Sequence, residues 1–274
     1  MRGSSASDSV IRVQDLVHVY PRSAWQLGPL SFEVRAGGMT GLIGPNGSGK
    51  STLLAACARH IPARGSIHVF RRPIATYGAR EWARLVAYLP QSIQAQFDFT
   101  VEETVAFGRY PHTAMMGFLD AHDWAVIQRC MEQAELSHLR TRRLSELSGG
   151  ERQRVHLAAV LAQEPRLMLL DEPATALDIH HQVALYRILR ECTAAGITVV
   201  LATHDLSLAA HFCDELMLLS GGQIAAQGSP DRVITEPLIH QVYGAQVRVV
   251  TVPGSVSPAV VPALSLIHIS EPTR

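Results

Sequence analysis

No stretch of this chain reaches the about eighteen consecutive apolar residues that a membrane-spanning helix needs, although 47% of its 274 residues are hydrophobic. The opening Met1-Arg2-Gly3-Ser4-Ser5-Ala6-Ser7-Asp8 is small and polar and lacks the apolar core of a secretory signal. The expectation is a chain that is neither secreted nor membrane-spanning and that meets a membrane only by docking on another protein. An excess of one charge is also missing: 24 Lys and Arg balance 24 Asp and Glu, which leaves no electrostatic footprint for nucleic acid. The local cluster Arg140, Arg142 and Arg143 reads as a solvated face. Cysteine is sparse, and Cys57, Cys130, Cys192 and Cys213 stand far apart without C-x-x-C spacing. That excludes a zinc or redox site of that type and points to reduced thiols. Internal repeats and low-complexity linkers are absent too. What remains is an ordinary globular composition, long enough to bury a large core as one domain with lobes.

The most informative segment is Gly44-Pro45-Asn46-Gly47-Ser48-Gly49-Lys50-Ser51-Thr52, which fits G-x-x-x-x-G-K-[ST]. It sits between the strand-like 39–43 and the helix-like 51–57, as a phosphate-binding loop requires. A chance match in a chain of this length has a probability on the order of 1%. Glycines let the backbone wrap a phosphate so that successive N–H groups point inward, and the following helix adds its positive end. Lys50 would place a cation on the β- and γ-phosphates, Ser51 would coordinate Mg²⁺, and Thr52 lies within reach of the phosphates. Taken with a second loop, 147–151, this pattern makes ATP and Mg²⁺ the expected cofactors.

Along the chain, 11–20, 30–34 and 66–70 read as strands of a β-rich lobe on the nucleotide side. From about 100 to 163 the pattern turns helical, with Trp124, Ile127, Met131 and Ala134 at spacings of three or four. The apolar runs 167–170 and 198–202, separated by a helix-like segment, suit buried parallel strands of an α/β sheet. Gly221-Gly222 between 215–220 and 223–227 signals a hairpin, followed by a helix over 237–243 and a strand over 247–252. Asp171-Glu172 ends the first apolar run, where open α/β sheets bind ligands. Asp171 is assigned to Mg²⁺ and Glu172 to polarising the attacking water as general base.

A second loop, Leu147-Ser148-Gly149-Gly150-Glu151, completes the pattern. Together with the residues above, it makes the chain resemble the nucleotide-binding subunits of ATP-binding-cassette transporters from Ile11 to about Val252. The fixed pentapeptide occurs by chance in on the order of one chain in a thousand or fewer. The resemblance implies an α/β P-loop NTPase with a RecA-like core, an antiparallel β subdomain and an inserted α-helical subdomain. It implies one cassette domain over 10–252, with the helical insert at about 95–163 and an extension over 253–263. The tail 264–274 looks like a sequencing adapter read through as protein and is set aside.

By the same resemblance, two cassettes close head to tail around two ATP molecules, and Ser148, Gly149 and Gly150 of one chain meet the γ-phosphate held by the other. Gln91, in Tyr88-Leu89-Pro90-Gln91, matches the loop that senses Mg²⁺ and the transport partner. Asp178 matches the inter-subunit loop, and His204 the switch histidine that holds the γ-phosphate. Tyr20 is the candidate to stack on adenine, with Trp25 as competitor and simple packing as the plain alternative for either ring. His180 and His181 read as polar residues at a helix start. Glu151 stands where many relatives have glutamine, and Ala174 departs from an otherwise matching run.

The segment 99–112 and the run 176–182 resemble importers of iron–siderophore complexes, haem and cobalamin. The expected partners are a second cassette chain, two transmembrane permease subunits and, indirectly, an extracytoplasmic substrate-binding protein. The expected location is the cytoplasmic face of the inner membrane. Phe97, Phe99, Met115 and Met116 are candidates for the permease-facing groove. An exporter or metal-ion cassette shares the same ATP chemistry. A soluble cassette acting on DNA or ribosomes would need coiled-coil insertions, a second cassette or a basic face, none of which the sequence carries.

Overall fold

A computed structural model describes residues 9–21, 24–93, 97–113, 118–251 and 257–263. Met115, Met116 and the 264–274 tail lie outside the described residues. Strand β1 (Ser9–Val19) pairs antiparallel with β2 (Gln26–Arg35), which leads into β3 (Met39–Ile43). The phosphate-loop segment follows, then α1 (Lys50–Cys57), β4 (Arg64–Val69) and the short β5 (Arg72–Pro73). Four of these strands form an antiparallel sheet in the order β2-β1-β4-β5. Strand β3 leaves it for a second sheet.

That second sheet takes β6 (Val86–Leu89) after α2 (Ala79–Leu85), then β7 (Leu167–Asp171), β8 (Thr198–Ala202), and the hairpin β9 (Glu215–Ser220) and β10 (Gln223–Gly228). Its order is β10-β9-β3-β8-β7-β6, parallel throughout except for β10. Gly221 and Gly222 make the hairpin turn at φ 53 and 80, the left-handed conformation a two-residue connection needs. The continuous apolar runs are explained by burial on both faces. Leu167 and Leu169 join Leu42, Val200 and Ala202 in the core shared with the antiparallel sheet and α1, while Met168 and Leu170 join Met39, Val199 and Leu201 on the opposite face. Fully burying one such leucine stabilises the fold by about 1.5–3 kcal/mol.

Helices α3 (Val101–Ala106), α4 (Ala121–Gln133) and α5 (Gly149–Ala162) pack on one another between β6 and β7. Capping boxes start all three, built on Thr100 with Glu103, Asp120 with Asp123, and Ser148 with Glu151. The apolar stripe of α4 differs from the expected one. Ile127, Met131 and Ala134 are buried with Val126 and Cys130, whereas Trp124 stays 43% exposed. At 100° per residue the stripe centres between Ile127 and Cys130, which leaves Trp124 on its edge. Helix α6 (Ile179–Ala194) connects β7 to β8, and α7 (Leu206–Phe212) connects β8 to β9. After β10 come α8 (Pro230–Val233), α9 (Glu236–Tyr243) and a two-stranded antiparallel sheet of β11 (Val247–Thr251) and β12 (Pro258–Pro262), whose Val260 N donates to Ser207 Oγ on α7 at 3.2 Å.

One polar group in the helical layer was not legible as buried. Arg109 Nε donates to Asp123 Oδ1 at 2.8 Å with both side chains under 10% exposed, and Arg109 Nη1 donates to Ala162 O and Glu164 Oε2. Burial alone raises the Asp123 carboxyl pKa, but the Arg109 guanidinium and the Asp120 backbone N–H outweigh it and hold the group below the usual carboxylate range. A depressed folded-state pKa contributes stability above the unfolded value that is lost as pH falls through the folded one. Arg109→Leu leaves Asp123 buried and uncompensated, so unfolding should cost about 3 kcal/mol less in urea titrations. Disrupting the exposed Arg12–Glu33 pair should change stability by less than about 1 kcal/mol. Equal effects from the two substitutions would contradict this account.

Candidate functional site

Parallel pairing of β3, β8 and β7 sets their carboxyl ends side by side. Leu42 pairs with Ala202, and Ala202 with Asp171. The loops leaving these three ends therefore open at one edge of the sheet, and a cavity of about 830 Å³ lies there. From the phosphate loop it is lined by Asn46, Gly47, Gly49, Lys50, Ser51 and Thr52; from other loops by Gln91, Glu172 and His204; and from the β-rich lobe by Tyr20 and Trp25.

The loop conformation needs its glycines at two places. Gly44 has φ 149, and a Cβ there would lie 2.2 Å from Leu219 O. Gly49 has φ 108, and a Cβ would meet Leu27 at 2.7 Å and the Trp25 ring at 3.3 Å. Lys50 is buried, with Nζ donating to Gly44 O at 2.8 Å and Pro45 O at 3.2 Å. Burial lowers its pKa, opposed by the nearby Glu172 and Asp171 carboxylates. Gly44, Pro45 and Ser48 form the back of the loop and do not line the cavity. Ser48 turns its side chain into the protein, while its backbone N–H donates to Pro45 O and its carbonyl accepts from Gly222 N of the hairpin, both at 3.1 Å.

Asp171 is 2% exposed and accepts a hydrogen bond from Ser51 Oγ at 3.1 Å. Burial pushes its carboxyl pKa up, Glu172 adds to the rise, and Ser51 and Lys50 oppose it. Glu172 has φ 50, a left-handed conformation that non-glycine residues adopt at a cost of order 1–3 kcal/mol, and its backbone N–H donates to Ala202 O at 3.0 Å. Its Oε2 accepts from Gln91 Nε2 at 3.1 Å and from Thr175 Oγ1 at 3.1 Å, and His204 Nδ1 stands 3.7 Å away. Thr175 is the contact that sequence reasoning missed. The signal was available in its position three residues beyond the glutamate, across a turn closed by Thr175 N to Glu172 O. His204 is exposed on a turn closed by Asp205 N donating to Thr203 Oγ1, with Asp205 capping α7.

Tyr20 and Trp25 share one wall, their ring centroids 6.1 Å apart and tilted by 33°. Tyr20 is fixed at both ends: its hydroxyl lies 3.0 Å from Thr52 Oγ1, and the His18 ring packs edge-on against it at 4.5 Å. Ser148, Gly149, Gly150 and Asp178 do not line this cavity. Ser148 caps α5 and Asp178 caps α6, and both are exposed. Gly149 instead borders a separate cleft of about 600 Å³ with Gln91, Phe97, Asp98, Arg152 and His156. Phe97 is 68% exposed there, while Phe99 is half-buried against Phe97 and Phe107.

A sequence model of the family described as "ABC transporter" matches residues 27–175. The hemin import ATP-binding protein HmuV of Thermobifida fusca (strain YX) is 43% identical over 237 residues, covering 86% of this chain and 83% of that protein. The ferric enterobactin transport ATP-binding protein FepC of Escherichia coli (strain K12) is 40% identical over 235 residues, covering 85% of this chain and 87% of its own length. Among solved structures, an inward-facing conformation of a putative metal-chelate type ABC transporter aligns with a TM-score of 0.80 at 25% identity, over 94% of this chain and 98% of that one. With the glycine-rich loop and Glu172 lining one cavity, and Asp171 buried behind it on the Ser51 hydroxyl, these likenesses place the chain in the ABC transporter family as one of its ATP-binding subunits.

Proposed function

We propose that the chain hydrolyses ATP in the 830 Å³ cavity and that the energy drives import of an iron–siderophore, haem or cobalamin through partner permeases. The observation that carries the ATP chemistry is the convergence of Lys50, Ser51, Gln91, Glu172 and His204 on that one cavity. The importer class rests on the likeness to HmuV and FepC together with the 99–112 and 176–182 segments.

The triphosphate would lie along the N–H groups of 46–52, with the Lys50 ammonium turned from the Gly44 and Pro45 carbonyls to the phosphates and adenine against Tyr20 or Trp25. The donor set fits Mg²⁺: a buried carboxylate already bonded to the Ser51 hydroxyl, beside Gln91 and a second carboxylate, is an environment that a dication neutralises. Ser51, Asp171 and Gln91 would hold it, and it would offset the charge on the phosphate oxygens. Glu172 takes a proton from the attacking water as the new P–O bond forms, and the bond to the ADP oxygen breaks. Gln91 and Thr175 hold its Oε2 in place for that step. His204 donates toward the γ-phosphate and keeps it in line.

The signature segment Ser148-Gly149-Gly150 opens α5 away from this cavity; the Ser148 N–H is held by Glu151, and the N–H groups of Gly149 and Gly150 would serve a second chain's γ-phosphate, with Asp178 between the two sites. The chain then works as a head-to-tail dimer on the cytoplasmic face of the membrane. No helix among the described residues is long and apolar enough to cross it. The 600 Å³ cleft beside Gln91, with exposed Phe97, is the proposed seat of a permease element.

Glu172→Gln should keep ATP binding and lower single-turnover hydrolysis by about 10²–10⁴-fold, leaving a dimer that persists on size-exclusion chromatography with ATP and Mg²⁺. Wild-type turnover in this variant would overturn the base assignment. Lys50→Ala should weaken nucleotide binding itself. By contrast, Ser148→Arg should bind nucleotide normally as a monomer yet fail to dimerise in the Glu172→Gln background; normal dimerisation there would sink the shared-site reading. The importer assignment is tested by ATPase rate in lipid with co-expressed iron-complex permeases. Stimulation by one cargo-loaded binding protein supports it and names the cargo, and turnover indifferent to every such partner removes it.

A further inference from the structure

Outside the nucleotide cavity, the described residues contain one cluster of metal-ligating side chains, at the head of α6. Asp178, His180 and His181 each offer one ligand atom, and the three atoms lie within 4.8 Å of one another. Neighbouring residues of a helix point about 100° apart, so adjacent histidines alone do not make a chelate. Here the N-cap changes the geometry. Asp178 folds its carboxylate back over the first turn, with Oδ1 accepting from the His181 backbone N–H at 2.9 Å and lying 2.8 Å from His181 Nδ1. The His180 ring stands edge-on to that of His181 at 5.1 Å. Three donors from four consecutive residues thus face one small volume.

We propose that Asp178, His180 and His181 form a binding site for a borderline divalent cation, with zinc as the type. The donor set selects the class. Two imidazoles and one carboxylate suit Zn²⁺, Ni²⁺ or Cu²⁺; the set has too few oxygens for Ca²⁺ or Mg²⁺ and no sulfur for soft ions. A tetrahedral zinc with bonds of about 2.0–2.1 Å holds its ligand atoms about 3.3 Å apart. The Asp178–His181 contact of 2.8 Å needs to widen by about 0.5 Å as the cation replaces the proton those atoms share, and the His180 ligand atom, within 4.8 Å of both, closes toward the same spacing. Asp178 and His180 are exposed, which leaves water to complete the coordination and the ion free to enter and leave.

The site needs neither nucleotide nor a second chain, so its test is separable from the ATP chemistry. The untagged full-length protein, freed of metal by chelation, is titrated with Zn²⁺ by calorimetry and with Co²⁺ by visible absorbance. One saturable equivalent is expected. His180→Ala and His181→Ala should each weaken it by at least roughly tenfold, and the double variant should lose the Co²⁺ band while keeping its thermal unfolding midpoint. His204→Ala, in the nucleotide cavity, should bind as wild type does. Absence of saturable binding at millimolar zinc, binding undiminished in the double variant, or binding lost in His204→Ala would each overturn the site.

Discussion

The parallel ladder of β3, β8 and β7 is the constraint on which the candidate site depends. Because Leu42 pairs with Ala202 and Ala202 with Asp171, three chain segments far apart in sequence end at the same edge of the sheet. One edge therefore receives the phosphate loop, the carboxylate pair and the histidine turn. A slip of one residue in β7 would exchange its two buried faces, moving Met168 and Leu170 into the layer now occupied by Leu167 and Leu169. The two hydrophobic cores resist that exchange, since each is built from alternate residues of these strands and from different partners on either side. Apolar packing thereby fixes polar chemistry to within the spacing of a strand pair.

Strain and burial are concentrated where that edge meets solvent. Glu172 occupies a left-handed conformation, Asp171 is a buried carboxylate, and Lys50 is a buried ammonium bonded to two carbonyls. Each is unfavourable alone. Together they are partly self-compensating, because Lys50 lowers the Asp171 pKa that burial raises, and the two carboxylates raise the Lys50 pKa that burial lowers. A polyanion with a dication adds both signs of charge to this arrangement, so on the proposed reading binding completes the electrostatic compensation rather than disturbing it.

Local chemistry made much of this legible in the sequence. The glycine pattern of 44–49 is forced by backbone angles and crowding, and the run Leu167–Asp171 announces a strand buried on both faces with carboxylates at its end. The hairpin at Gly221-Gly222 and the helix over Glu236–Tyr243 follow from equally local signals. Features set by three-dimensional neighbours were not legible. The buried Arg109–Asp123 pair looks like ordinary surface charge in one dimension, Trp124 sits one step off a stripe whose centre only packing defines, and β12 finds its partner β11 across an intervening segment. Thr175 falls between these cases: its spacing from Glu172 is local, but its hydroxyl gains meaning only when Gln91, from a distant loop, reaches the same carboxylate oxygen.

The placement of the signature segment carries the argument from one chain to two. An isolated cassette brings Glu172, the proposed base, together with the phosphate loop and His204 at one cavity, yet it directs the start of α5 elsewhere, capped by its own Glu151. A helix N-terminus presents N–H groups that favour an anion, and although Glu151 takes the Ser148 N–H, Gly149 and Gly150 carry no side chain over theirs. A Cβ added at Gly150 would lie 3.2 Å from Ala176 O, two residues before Asp178, so the signature segment runs close beside the Asp178 loop. A partner that placed its γ-phosphate on the first would therefore touch the second. On this geometry, communication between two ATP sites needs no long pathway: the segment from Glu172 to Asp178 runs directly from the proposed base of one site to the surface that would meet the other.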